Sequence, residues 1–151
     1  MMVRTALALA ALAVAANAAK LAIEQGTVTP GKPATLAVTL AAGAEAPTGF
    51  QFDLEYDGAA LDLNVEAGPA AKNASKMLQF RQLQEGKLRV LIIGFNRNTI
   101  SDGILALIHI TYKGTDTGKS FAVHMTASSG TNADAKPVAV TGTDGSVTVA
   151  K

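Results

Sequence analysis

Two histidines, a pair of carboxylates and a loop of amide side chains are the groups whose types and spacing bear on chemistry in this 151-residue chain. His109 and His124 sit in alternating stretches opposite the aliphatic rows Ile108/Ile110 and Val123/Met125, on strands able to neighbour one another. A transition-metal centre generally needs three or four ligands. Neither histidine has a third ligand or a carboxylate at a helpful spacing, so both are expected to be solvated strand-face residues. Asp53 and Glu55 share one face of a strand, about 6.5–7 Å apart by strand rise, a separation that glycosidases use. Glycosidase acids usually come from different elements lining a cleft, however, and two acids on one solvated face are the ordinary outcome of alternation. There is no Gly-x-Ser-x-Gly elbow, and neither histidine has an obvious carboxylate to orient it. Asn96, Asn98 and Asp102 gather oxygen donors in one loop, but with a single carboxylate they lack the acidic density of a calcium loop. The chain is therefore expected to be no enzyme, with no metal site and no cofactor.

The elements that carry these groups read as strands. In the stretch 49–61, Phe50, Phe52, Leu54 and Tyr56 fall on one side and Gln51, Asp53 and Glu55 on the other, up to a Tyr56-Asp57 turn with Leu61 beyond it. Upstream, 21–29 and 34–40 flank Pro30-Gly31-Lys32-Pro33, where two prolines forbid helix. Downstream come 62–66, a loop over 67–75 in which Gly68 and Pro69 hold any helix to a turn or so, and 78–83, with Leu78/Phe80 opposite Gln79/Arg81/Leu83. Glu85-Gly86 signals a hairpin into 87–95. Segments 104–112, 120–127, 136–140 and 146–150 complete the set. Short strands punctuated by Gly, Pro, Asn and Asp predict an all-β sandwich of about nine strands.

Composition narrows the classes further. Arg4, the apolar run 6–16 and Ala16-Asn17-Ala18 have the three parts of a secretory signal peptide, with a run too short to span a bilayer. Residues 1–18 are thus expected to be cleaved, leaving 133 of the 151 residues, enough for one domain, 19–151. With no cysteine the exported fold cannot rely on disulfides, and a 48% hydrophobic composition lets burial carry it. Loss of Arg4 takes Lys+Arg from 13 to 12 against 12 Asp+Glu. Without net charge or a basic run, nucleic acid and anionic membrane are not expected partners. The segment Leu88-Arg89-Val90-Leu91-Ile92-Ile93-Gly94-Phe95 is apolar on both faces, so one of the rows Val90/Ile92 and Leu91/Ile93 should lie outside the sandwich. An exposed apolar row implies a partner, or cover from a loop or the Ala-rich N-terminus.

The strand ending in Tyr56-Asp57 with Leu61 resembles the YDPxxL element of cohesin domains, secreted β-sandwich modules that bind dockerins. The resemblance extends over nearly the whole mature chain: a strand before a Pro-Gly turn, a Gly86-Lys87 hairpin into an apolar strand, the run Asp102-Gly103-Ile104-Leu105-Ala106, and a closing 142–149 hairpin. It implies a jelly-roll-like sandwich and a dockerin-like protein partner. It also implies a recognition face that includes Gln51, Asp53, Leu83, Val90, Ile92 and Asn96, with Leu91 and Ile93 in the core. Gly58 stands where the family usually has proline, and Gly49-x-Gln51 where one cohesin class has Asn-x-Asp. Two other functions fit such a sandwich. Carbohydrate binding stacks sugars on exposed aromatics, yet there is no Trp and both Tyr56 and Tyr112 fall on inward rows. A surface subunit would self-associate through strand edges.

Overall fold

A computed structural model describes residues 18–151, so the segment read as a signal peptide lies, apart from Ala18, outside the described residues. The strands are β1 (Ala19–Ile23), β2 (Gln25–Val28), β3 (Ala34–Ala41), β4 (Gly49–Glu55), β5 (Leu61–Ala67), β6 (Met77–Gln84), β7 (Lys87–Ile93), β8 (Gly103–Tyr112), β9 (Ser120–Thr131), β10 (Pro137–Val138), β11 (Val140–Thr143) and β12 (Gly145–Val149). One helical turn, α1 (Pro69–Asn73), joins β5 to β6, with proline at its start where the missing N–H costs nothing. The strands form two mixed sheets, β11-β1-β3-β8-β5 and β2-β12-β9-β4-β7-β6, with β10 paired to β9. The sequence expectation of a two-layer all-β sandwich is met, with short extra strands where the closing segments break up.

Alternation explains which faces meet. Leu36, Val38, Leu61, Leu105, Ile108 and Ile110 from the first sheet pack on Phe52, Leu54, Leu88, Val90, Val123 and Val147 from the second, and all are essentially buried. Asp57 shapes the turn after β4: its Oδ1 accepts from Ala59 N (3.0 Å) and Ala60 N (3.2 Å), and its carbonyl accepts from Leu61 N. Gly58 answers a steric demand there, since a Cβ would lie 2.5 Å from Gly86 N in the β6–β7 turn. Gly86 itself holds φ +79°, as that hairpin requires. The long strand β9 carries a bulge: Gln51 pairs with Ser129 and Asp53 with Thr126, so two residues of β9 stand opposite Phe52. The outer face of β9-β4-β7-β6 is thereby twisted and presented on four adjacent strands.

Candidate recognition face

Register with β4 decides which row of β7 is outside. Phe50, Phe52 and Leu54 pair with Ile92, Val90 and Leu88, while Gln51, Asp53 and Glu55 pair with Leu91, Arg89 and Lys87. Paired residues share a face, so Val90 and Ile92, both at 0% exposure, belong to the core. This inverts the facing expected from the family resemblance: the outer apolar row is Leu91, half-buried, and Ile93, 44% exposed. A signal for it was present in the sequence. The outer row begins with Lys87 and Arg89, and period-two alternation carries those cations directly into Leu91 and Ile93.

Around that row lie Gln51 on β4, Gln79 and Arg81 on β6 opposite Leu91 and Arg89, and Met77 opposite Ile93. Gln51, Leu91 and Ile93 border a shallow cavity of about 210 Å³ with Gly49, Ser129 and Thr131. Phe95, immediately beyond β7, is fully exposed. Asp53 points to this face but is not available on it, correcting the expectation of a surface acid: it is 1% exposed. Its two oxygens accept from Arg89 Nε (2.9 Å) and Nη2 (3.0 Å), and this side-chain hydrogen bonding raises the Arg89 pKa above its ordinary value. Thr126, opposite Asp53, has the one buried polar side-chain atom without a hydrogen-bond partner among the described residues.

Leu83 falls at a register shift between Gln82 and Gln84, half-buried at the bulge and away from the Leu91/Ile93 row. Asn96 is a loop organiser. Its Oδ1 accepts from Lys76 Nζ (2.7 Å) and from Asn98 N (3.0 Å), its carbonyl accepts a second bond from Lys76 Nζ (3.2 Å), and its Nδ2 donates to the Ser75 carbonyl (3.2 Å). Asn98 Nδ2 donates to the Ala74 carbonyl (3.2 Å), tying the same loop to the end of α1. Lys76 is only 5% exposed, and burial pushes its ammonium below the usual lysine value. The network fixes the backbone that follows Phe95, at Asn96 and Asn98. Asp102 is occupied elsewhere, accepting from Ala42 N at 2.7 Å, so the amide loop is internally committed.

Both histidines have carboxylate partners that sequence spacing did not reveal, and they lie in different sheets. On β8, His109 Nε2 is 2.8 Å from Glu66 Oε1 and Nδ1 is 2.9 Å from Thr35 Oγ1, across β5 and β3. Because a carboxylate only accepts, Nε2 carries the hydrogen and donates to Glu66, while Nδ1 shares a hydrogen bond with the Thr35 hydroxyl. On β9, His124 Nδ1 is 2.8 Å from Asp144 Oδ2, and Asp144 Oδ1 also accepts from Met125 N at 2.8 Å. The bonds from His124 and Met125 lower the Asp144 pKa. These are cross-strand surface networks between groups that satisfy one another. Among the described residues no three His, Cys, Asp or Glu side chains are placed to hold a metal, and no helix is long and apolar enough to cross a membrane.

A twisted two-sheet sandwich with an apolar row on one outer face is the build of a β-sandwich binding module. Residues 19–149 match the cohesin domain, and the chain belongs to that family, a family of non-catalytic modules. Solved structures agree on the fold. The sixth cohesin of scaffoldin B from Acetivibrio cellulolyticus, crystallised with a Cel5 dockerin mutant, is 21% identical with a TM-score of 0.76, over 87% of this chain and 99% of that one. The Coh-OlpA cohesin of Clostridium thermocellum, in complex with Doc918, is 16% identical with a TM-score of 0.77, over 88% and 99%. A non-cellulosomal cohesin from the archaeon Archaeoglobus fulgidus is 17% identical with a TM-score of 0.73, over 89% and 92%. A comparison with curated proteins finds no match.

Proposed function

We propose that this cohesin binds a dockerin-like protein through the outer face of β9-β4-β7-β6. The observation that carries the reading is the exposed apolar row Leu91/Ile93, continued by Met77 on β6 and by Phe95 on a loop held by Lys76 and Asn96. Water-exposed apolar groups on a rigid sheet are favourable to cover and need little ordering on association. Gln51 and the cavity beside it supply polar contacts at one border. Leu83 and Asn96 act from the rim or through loop geometry, and Val90 and Ile92 support the face from beneath. Several solved relatives are complexes with dockerins, which favours the same partner class here. Stacking of a flat polysaccharide finds less support: Tyr112 is buried and Tyr56 half-buried, so Phe95 and the 41%-exposed Phe80 are the exposed aromatic rings among the described residues, and both border the apolar row. The amino-terminal pattern at residues 1–18 supports export with cleavage before Ala19, placing the module outside the cytoplasm in a surface or polysaccharide-degrading assembly.

The test is calorimetric titration of the chain from Ala19 onward with dockerin modules encoded in its source genome, alongside the Ile93→Lys and His109→Ala variants. Binding by the wild type and His109→Ala, with loss in Ile93→Lys, is the expected pattern. A wild type that binds none of them, or an Ile93→Lys variant that binds normally, refutes the assignment of the face.

A further inference from the structure

Arg81 and Arg89 lie directly opposite one another on β6 and β7, a like-charge pairing that destabilises a sheet unless an anion offsets it. Only one anion is built in. Asp53 neutralises Arg89, giving a row of one carboxylate and two guanidiniums across β4, β7 and β6, and Arg81 has no carboxylate at ion-pair distance among the described residues. We propose that Arg81 and Arg89 together read one carboxylate on the protein partner, a specificity determinant that rests on the dockerin-binding reading above. Asp53 engages Nε and Nη2 of Arg89. Of the five donors on a guanidinium three therefore remain, including those at the Nη1/Nη2 end, which form a second fork for a carboxylate. The buried Asp53 holds that fork in place before binding, so little side-chain freedom is lost on association. Both arginines line one cavity of about 420 Å³, together with Gln79, Phe80 and Leu91. The Phe80 and Leu91 side chains in that lining lower the local polarity around an incoming ion pair and strengthen it.

The experiment uses a displayed library of the Acetivibrio cellulolyticus Cel5 dockerin with exposed helix positions randomised, selected on the chain from Ala19 onward. Binders should be enriched in Asp or Glu at one position. Arg81→Glu should weaken them by about a hundredfold through like-charge repulsion, and Arg81→Gln, which keeps a polar side chain, by about tenfold. Changing the enriched acid to Lys should restore affinity for Arg81→Glu, with unchanged thermal unfolding showing that the variant is folded. Binders without acidic enrichment, or with equal affinity for Arg81→Glu, overturn the carboxylate reader and leave the dockerin reading standing. A library that yields no binder to the wild type removes the dockerin reading, and this inference with it.

Discussion

The two outer faces of the sandwich are built from the same alternation and solve opposite problems. On the β11-β1-β3-β8-β5 sheet, Thr35, His109 and Glu66 bond to one another across three strands, and exposed Thr39, Asp62, Asn64 and Thr111 continue a mainly polar surface, with Ile104 near the start of β8 the one large apolar side chain there at 36% exposure among the described residues. On the β9-β4-β7-β6 sheet, Leu91, Ile93 and Met77 meet solvent, and among the described residues Arg81 stands beside Arg89 without a carboxylate at ion-pair distance. Polar groups that satisfy each other have no need of a partner. Apolar groups and an uncompensated cation gain free energy when one arrives. The difference favours the β9-β4-β7-β6 sheet as the proposed recognition face, by what each surface leaves unfinished.

The sharpest way to break this comparison is to exchange the two rows of β7. Ile92→Lys or Val90→Lys places an unpaired charge in the core and should cost at least about 4 kcal/mol, enough to unfold the domain. Leu91→Lys and Ile93→Lys should stay within about 1 kcal/mol of wild type. Denaturant titration of all four checks the facing directly, and a folded Ile92→Lys variant would invert it. Next in size, Phe95→Ala should leave the melting temperature unchanged but weaken partner binding by about 2 kcal/mol, as loss of an aromatic anchor does. An affinity equal to wild type would remove Phe95 from the contact.

On the opposite face, His109→Ala should cost about 0.5–1 kcal/mol of stability through the lost cross-strand bonds and leave partner affinity untouched. A binding defect there would mean that the polar face takes part in recognition. The smallest effect concerns Asp144, whose folded pKa lies below the ordinary 3.8. A depressed carboxylate stabilises the fold fully above its unfolded pKa and loses that contribution as pH falls through the lower folded value. Because both side chains are about half exposed, solvent screening keeps the contribution under about 1 kcal/mol. Asp144→Asn should therefore differ from wild type by a constant amount from about pH 5 upward, and the gap should close below pH 4. A gap that persists to pH 2 would show that the ionised carboxylate is not its source.

The strands of this protein were legible where a single alternating pattern suffices. Phe50, Phe52 and Leu54 are inside, and Gly86 makes the hairpin it signals. Facing was only faintly marked for β7: Lys87 and Arg89 open the outer row, but the last half of the strand is apolar on both sides and carries no polar row. The register of Phe52 with Val90 makes the assignment plain, and register is a property of two strands. The same limit hid Glu66 from His109 and Asp144 from His124, since cross-strand neighbours are far apart in the chain. Asp53 looked like a surface acid by period. Its burial depends on Arg89 from another strand and on the β9 bulge beside it, which also carried β9 beyond residue 127, where alternation lapses.

The pairing of β1 with β11 and of β2 with β12 is parallel, joining Ala19 to Val140 and Gln25 to Ser146. Neither pair can form until almost the whole chain is present, and contacts of such sequence separation carry a large loop-closure cost before any energy is returned. The last strands are thus expected to close the fold, since β2 and one edge of β9 are left without their β12 partner in any chain that stops before residue 145. Removal of residues 145–151 should yield an aggregation-prone species rather than a smaller stable sandwich. Under the export proposed above, that ordering would keep the polypeptide threadable until residues 145–149 have been delivered.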